Sequence, residues 1–196
     1  MKRTFLAAFA AFVLALVPVV SFAGGHAGWK LEQDVSKIAF GSVKKDTVGE
    51  THNFSNLSGM VSETGELTIA IDLASVETWI DIRNERIVEH VFHKMAQATL
   101  SANLDMDKLL AMPVGGMDTV AVNGKLSLMG AEVVVQTDMF VVRLAENKVL
   151  VTSDEITWVS TEELGIDDSV SKLMELAKLP GITRAVPVTA RLVFSK

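Results

Sequence analysis

The sequence predicts a mainly β protein: an antiparallel barrel of about eight strands with two short helices. Three observations carry that expectation. After residue 24 most of the chain falls into runs of alternating apolar and polar residues, the period that sends successive side chains to opposite faces of a strand. Short turn signals such as Thr64-Gly65 and Met129-Gly130 separate the runs, as antiparallel neighbours require. Only two stretches, Asp81 to Phe92 and Asp168 to Lys178, carry helical spacing, enough to cover the ends of a closed sheet whose interior holds a ligand or a plug of side chains.

The first run, GWKLEQDVSKIAFGSVKK, reads as two strands broken near Asp34, a hairpin or its equivalent, with Ile38, Phe40 and Ser42 alternating against Lys37 and Gly41. In FSNLSGMVSETGELTIAIDL, Leu67, Ile69, Ile71 and Leu73 share one face, and Glu66, Thr68 and Asp72 the other. Asp81 to Phe92 follows as a helix whose apolar arc is Ile80, Ile87, Val88, Val91 and Phe92, with Ile82, Glu85 and Glu89 pointing away. Alternation returns at Ala98, Leu100, Ala102 and Leu104, and MPVGGMD is a turn-rich loop. Four strand-like runs come next, TVAVNGKLSL, AEVVVQTDMFVVRL, KVLVTSD and EITWVS, with Asn123-Gly124 a turn or a bulge. The second helix presents Val170, Leu173, Met174 and Ala177 and stops before Pro180-Gly181. VPVTARLVF closes the chain as a strand whose apolar residues are divided between faces.

Residues 1–23 lie outside this fold. Lys2 and Arg3 precede the apolar run FLAAFAAFVLALVPVV, which ends at Ser-Phe-Ala, the pattern of a secretory signal peptide cleaved after Ala23. The run is short for a membrane span and no stop-transfer segment follows, so the expectation is export to the periplasm without stable membrane insertion, as one barrel domain over residues 24–196. Loss of Lys2 and Arg3 takes the formal charge from −6 to about −8, a surface that repels nucleic acid. With no cysteine, neither a disulfide nor a thiolate zinc site supports the fold.

Chemistry-bearing motifs are sparse. His90 and His93 stand at a metal-gripping spacing with Arg86 between them and no third ligand, so no metal site is expected. His52 reads as a structural strand histidine. Ser169-Val170-Ser171-Lys172 matches Ser-x-x-Lys without its companion motifs. No nucleophile elbow or phosphate loop occurs, so neither catalytic residues nor a cofactor is expected.

One resemblance goes beyond pattern. Trp29 opens the first strand, KIAFGSVKK forms the second, FSNLSGMV precedes an acidic turn, and AIDLASVETWIDIRNERIVEHVF is followed by ATLSANLD, with LPGITRAVPVTARLVF near the end. From Trp29 to Phe194 the chain resembles the YceI-like family, exported lipocalin-like barrels that bind polyisoprenoid lipids. The resemblance implies an apolar tunnel for an isoprenoid tail, with isoprenoid quinones and prenyl phosphates as ligand classes. Phe40, Phe54, Leu67, Ile69, Ile71, Leu73, Leu100, Leu126, Leu128, Trp158 and Phe194 are then expected inward. Periodicity alone does not separate a tunnel from a filled core, and the rival readings are a structural barrel that dimerises through its edges or its helix and, with less behind it because no nucleophile and base are visibly paired, an enzyme acting on a prenyl substrate.

Arg83 and Asn84 sit on or beside the apolar arc of the first helix, where a helix that merely capped a core would carry Leu or Ala. Facing a barrel mouth, Arg83 could donate paired hydrogen bonds to a quinone carbonyl or a phosphate. Alternatively Asn84 bonds to a loop from the first turn and Arg83 pairs with Asp81 or another surface carboxylate.

Overall fold

The computed structural model describes residues 28–196, so the leader and its cleavage site lie outside the described residues. Twelve strands form one antiparallel sheet. In chain order they are β1 (Trp29–Leu31), β2 (Lys37–Lys44), β3 (Val48–Phe54), β4 (Leu57–Val61), β5 (Glu66–Asp72), β6 (Val76–Glu77), β7 (Gln97–Asn103), β8 (Met117–Leu128), β9 (Ala131–Ala145), β10 (Lys148–Ser153), β11 (Thr157–Ser160) and β12 (Ala185–Ser195). The helices are α1 (Asp81–Arg86), which runs on into a π-helical turn over Ile87–Val91, α2 (Met106–Ala111) and α3 (Asp167–Ala177).

Twelve strands reduce to eight staves because four staves are interrupted. β1 and β2 both pair with β12, β3 and β4 pair with β2 and β1, β6 and β5 pair with β3 and β4, and β10 and β11 both lie along β12. The uninterrupted staves β7, β8, β9 and β12 complete the ring, which the β1–β12 pairing closes. The expected hairpin between the first two strands is therefore absent. A 3₁₀ turn at Gln33–Val35 breaks one stave without reversing it, so β1 and β2 run in one direction.

Period-two patterning explains why the walls are two-faced. Leu67, Ile69 and Ile71 of β5 are buried while Glu66 and Thr68 are exposed. Asn123-Gly124 is neither turn nor bulge, for β8 pairs with β9 in unbroken register from Met117 to Leu128. The reversal comes at Met129-Gly130, where both residues have positive φ (52° and 87°), as a two-residue hairpin favours. Gly65 turns β4 into β5 at φ 90°, where a Cβ would stand 2.1 Å from the Leu104 carbonyl oxygen, so no larger residue fits. Val186, Val188, Ala190, Leu192 and Phe194 of β12 all share the inner face rather than dividing between two.

The connections sort by end. α1 with its π turn, α3 and the β2–β3 and β8–β9 turns lie at one end; α2 and the β4–β5 and β9–β10 turns lie at the other. α2 was not anticipated from the sequence. Asp105 caps it, its carboxylate accepting from the Lys108 N–H at 3.1 Å.

Candidate ligand-binding cavity

The inner faces of the staves do not meet. They enclose a cavity of about 610 Å³ that runs from α1 and α3 at one end to Leu109 and Leu110 of α2 and Met112 just after it at the other. Its long walls are apolar: of the residues expected inward, Phe40, Phe54, Leu67, Ile69, Ile71, Leu73, Leu100, Leu126, Leu128 and Phe194 all border it. Trp158 does not. It is 64% exposed, because in β11 Thr157 and Val159 take the inward positions and the indole, one residue out of phase, faces solvent.

A polar cluster sits at the α1 end. Alternation along β2 and β3 directs Ser42, Lys44, Glu50 and His52 inward, above Phe40 and Phe54. Glu50 bridges two cations, accepting from Lys44 Nζ at 2.9 Å and from Arg83 Nη1 at 2.8 Å. Burial pushes the Glu50 carboxyl upward, but the bonds and charges of Lys44 and Arg83 outweigh it and hold the pKa below the usual carboxylate value. His52, only 3% exposed, is held below the ordinary histidine value, chiefly by burial and next by the Arg83 charge, so it is neutral at pH 7. Its Nε2 shares a 2.9 Å hydrogen bond with Ser42 Oγ. Phe40 lies against the ring, centroids 5.2 Å apart, and stacks in turn on Phe54 at 5.3 Å.

Two buried polar atoms at this end have no protein partner, His52 Nδ1 and Arg83 Nε. A buried donor or acceptor without a partner is costly, so each of these atoms calls for a water or a ligand group to complete the network.

Arg83 and Asn84 part company. Arg83 borders the cavity, reaches Glu50 on β3, and donates from Nη2 to the Thr78 carbonyl at 2.6 Å. Asn84 does not line the cavity. Its Oδ1 accepts from the Thr78 N–H at 2.9 Å and from Thr78 Oγ1 at 2.6 Å, and its Nδ2 donates to Glu77 at 3.1 Å, which fixes the turn before α1. The helical wheel misplaced it because the helix is not uniform: the π turn shifts the phase between the two halves. That shift also brings Ile82, expected to point away, onto the cavity rim.

Sequence reasoning missed most of the polar lining. Ser42, Lys44 and Glu50 carried no motif, and their parity with Phe40 and Phe54 was the available signal. Arg143, at the other end, donates to the carbonyls of Leu109, Leu110 and Glu146 and lies 5.8 Å over the Trp29 ring. The histidine pair does not converge: His90 lies near Glu89 and His93 shares a 3.3 Å contact with Ser169.

Known structures share this architecture. A polyisoprenoid-binding domain from Saccharophagus degradans, implicated in plant cell wall breakdown, superposes with a TM-score of 0.84 at 32% identity, covering 87% of this chain and 99% of that one. BcnA from Burkholderia cenocepacia superposes at 0.64 with 18% identity, over 83% of this chain and 98% of its own, and shares the fold. No family model matches the chain, and no curated protein matches it. A closed eight-stave barrel with a hollow apolar interior, and a relative of that identity matched over nearly its whole length, place this chain in the YceI-like family of lipocalin-like barrels.

Proposed function

We propose that the protein is an exported, non-catalytic lipid carrier. It encloses the isoprenoid tail of a quinone or prenyl phosphate in the barrel and shields it from water for storage or transfer in the periplasm. The hollow apolar interior of about 610 Å³ carries this reading, since a filled structural barrel would have no such void. The leader pattern in residues 1–23 supports export, and the polyisoprenoid-binding description of the Saccharophagus degradans relative supports the ligand class. A prenyl unit has five carbons, and at about 0.8 kcal/mol per buried carbon each unit contributes about 4 kcal/mol before the costs of association, so affinity needs no strong polar contact.

The polar cluster favours a neutral carbonyl head over a phosphate. Glu50 already occupies Lys44 and Arg83, and a phosphate there would stand beside its carboxylate. A quinone carbonyl accepts from the unused Arg83 N–H without adding charge.

Organic extraction of the purified protein followed by mass spectrometry tests the reading, with a prenyl quinone the expected product. Protein that is repeatedly lipid-free and takes up no isoprenoid quinone removes it. Arg83→Met should weaken quinone binding by about one to two decades, the size of one hydrogen bond from a charged donor. Tighter binding of a prenyl phosphate than of the quinone with the same tail would reverse the head-group assignment.

A further inference from the structure

We propose that the turn leading into α1 is a membrane-docking tip: Trp79, Ile80 and Ile82 enter the interfacial layer of a bilayer and seat the cavity rim against it. The inference rests on the carrier reading for what covers the tip, while its geometry stands independently.

The turn is built to hold Trp79 outward. Thr78, 1% exposed, is its anchor, tied by Asn84 Oδ1 to both its N–H and its hydroxyl and by Arg83 to its carbonyl. Glu77 accepts from the Trp79 N–H and from Asn84 Nδ2. After this clamp the indole is 75% exposed at φ 64°, a left-handed conformation that a bulky residue adopts only at a cost. Packing does not explain it, since the ring is mostly in solvent, and a solvent turn would more cheaply hold Asn or Gly.

What covers the tip must also face the cavity, because Ile80 and Ile82 are exposed and border the cavity at once. The ligand assigned above is soluble only in a bilayer, so a docked rim gives its tail a path that avoids water. An indole flanked by isoleucines is the composition that settles at a membrane interface. Charge does not steer this contact. The rim mixes Lys44, Arg83 and Arg86 with Glu50, α1 also carries Asp81 and Glu85, and the chain is acidic overall, so docking should be apolar and occur on zwitterionic lipid.

The test uses the chain from Gly24 onward, phosphatidylcholine vesicles with and without a prenyl quinone, and a short-tailed quinone in solution. Trp79→Asn removes the indole and places a residue tolerant of positive φ, so its urea midpoint should hold or rise while vesicle co-sedimentation and quinone extraction fall about tenfold. Uptake of the dissolved quinone should not change. Two controls remove exposed apolar surface elsewhere, Trp158→Asn on the outer wall of β11 as the matched loss of an indole and Val114→Asn in the loop after α2 as a smaller one, both outside the cavity lining. Either control matching the effect of Trp79→Asn, or unchanged vesicle binding in Trp79→Asn, overturns the docking tip and leaves the carrier reading intact. Unfolding of Trp79→Asn would assign the indole a structural role and overturn it too. Wild-type protein that co-sediments through Trp79 yet takes up no dissolved quinone would sustain the tip and sink the carrier reading.

Discussion

Ala102→Phe separates a hollow barrel from a filled one by the sign of a single measurement. Ala102 lies on the inner face of β7, beside Leu67 and Gly124, in the half of the cavity nearer α2 and away from the Glu50 cluster. In a close-packed core the added ring would force its neighbours aside at a cost of about 1–3 kcal/mol. In this cavity the ring enters empty apolar space, and its burial stabilises the ligand-free protein by up to about 2 kcal/mol. The same ring shortens the tunnel at its far end. A tail long enough to reach Ala102 loses roughly one prenyl unit of burial, about 4 kcal/mol or nearly three decades in Kd, while a tail too short to reach it loses nothing. Urea unfolding of the ligand-free protein gives the first quantity, and calorimetric titration with quinones of increasing tail length the second. Destabilisation with unchanged affinity for every tail would refute the reasoning, as would an equal loss for all of them.

Three further outcomes follow from this end of the barrel. His52 is depressed in the folded state, so below about pH 6.5 the unfolded chain takes up a proton that the folded chain refuses. Stability should therefore fall as pH drops from about 7 towards 5, by up to about 1.4 kcal/mol per unit, and His52→Gln should flatten that slope in urea titrations. Glu50, also depressed, adds a second loss at lower pH, as the pH falls from the ordinary carboxylate value through the folded one. Asn84→Ala leaves the N–H and hydroxyl of buried Thr78 without their acceptor, a cost of about 1–3 kcal/mol for each donor left unpaired; a change under about 0.5 kcal/mol in the unfolding free energy would show that water replaces the clamp.

The barrel was legible because its walls obey a two-residue period that burial enforces. Leu67 to Leu73 and Ala98 to Leu104 could be assigned a face from alternation, and α3 follows its expected span to within a residue. Alternation says which residues share a face, not which face is inside. In EITWVS the indole suggested Trp158 as the inward residue, yet the register with β12 turns Thr157 and Val159 in. Nor does alternation reveal pairing partners, which is why two halves of one stave passed for a hairpin. The polar cluster was hidden for a related reason: Glu50 and Arg83 are 33 positions apart, and only the pairing of β6 with β3 brings α1 over β3.

A hollow barrel without disulfides must draw its stability from its wall, since lining atoms that face a void forgo the contacts a filled core supplies. The wall answers this at the places where it bends. All four broken staves break near a serine, and at three of them the hydroxyl takes a backbone N–H of a neighbouring stave that the broken ladder no longer serves: Ser36 that of Val193 at 3.0 Å, Ser75 that of Asn56 at 3.0 Å, and Ser153 that of Ala190 at 2.8 Å. The staves thus curve around open space without leaving these donors unmet. Against that satisfied wall, the two unpartnered buried side-chain atoms among the described residues, on His52 and Arg83, stand out at one end of the greasy interior. On the proposed carrier reading the labour would divide accordingly: the long apolar lining would supply affinity for the chain that fills it, and the unmet pair would fix which way round that chain lies.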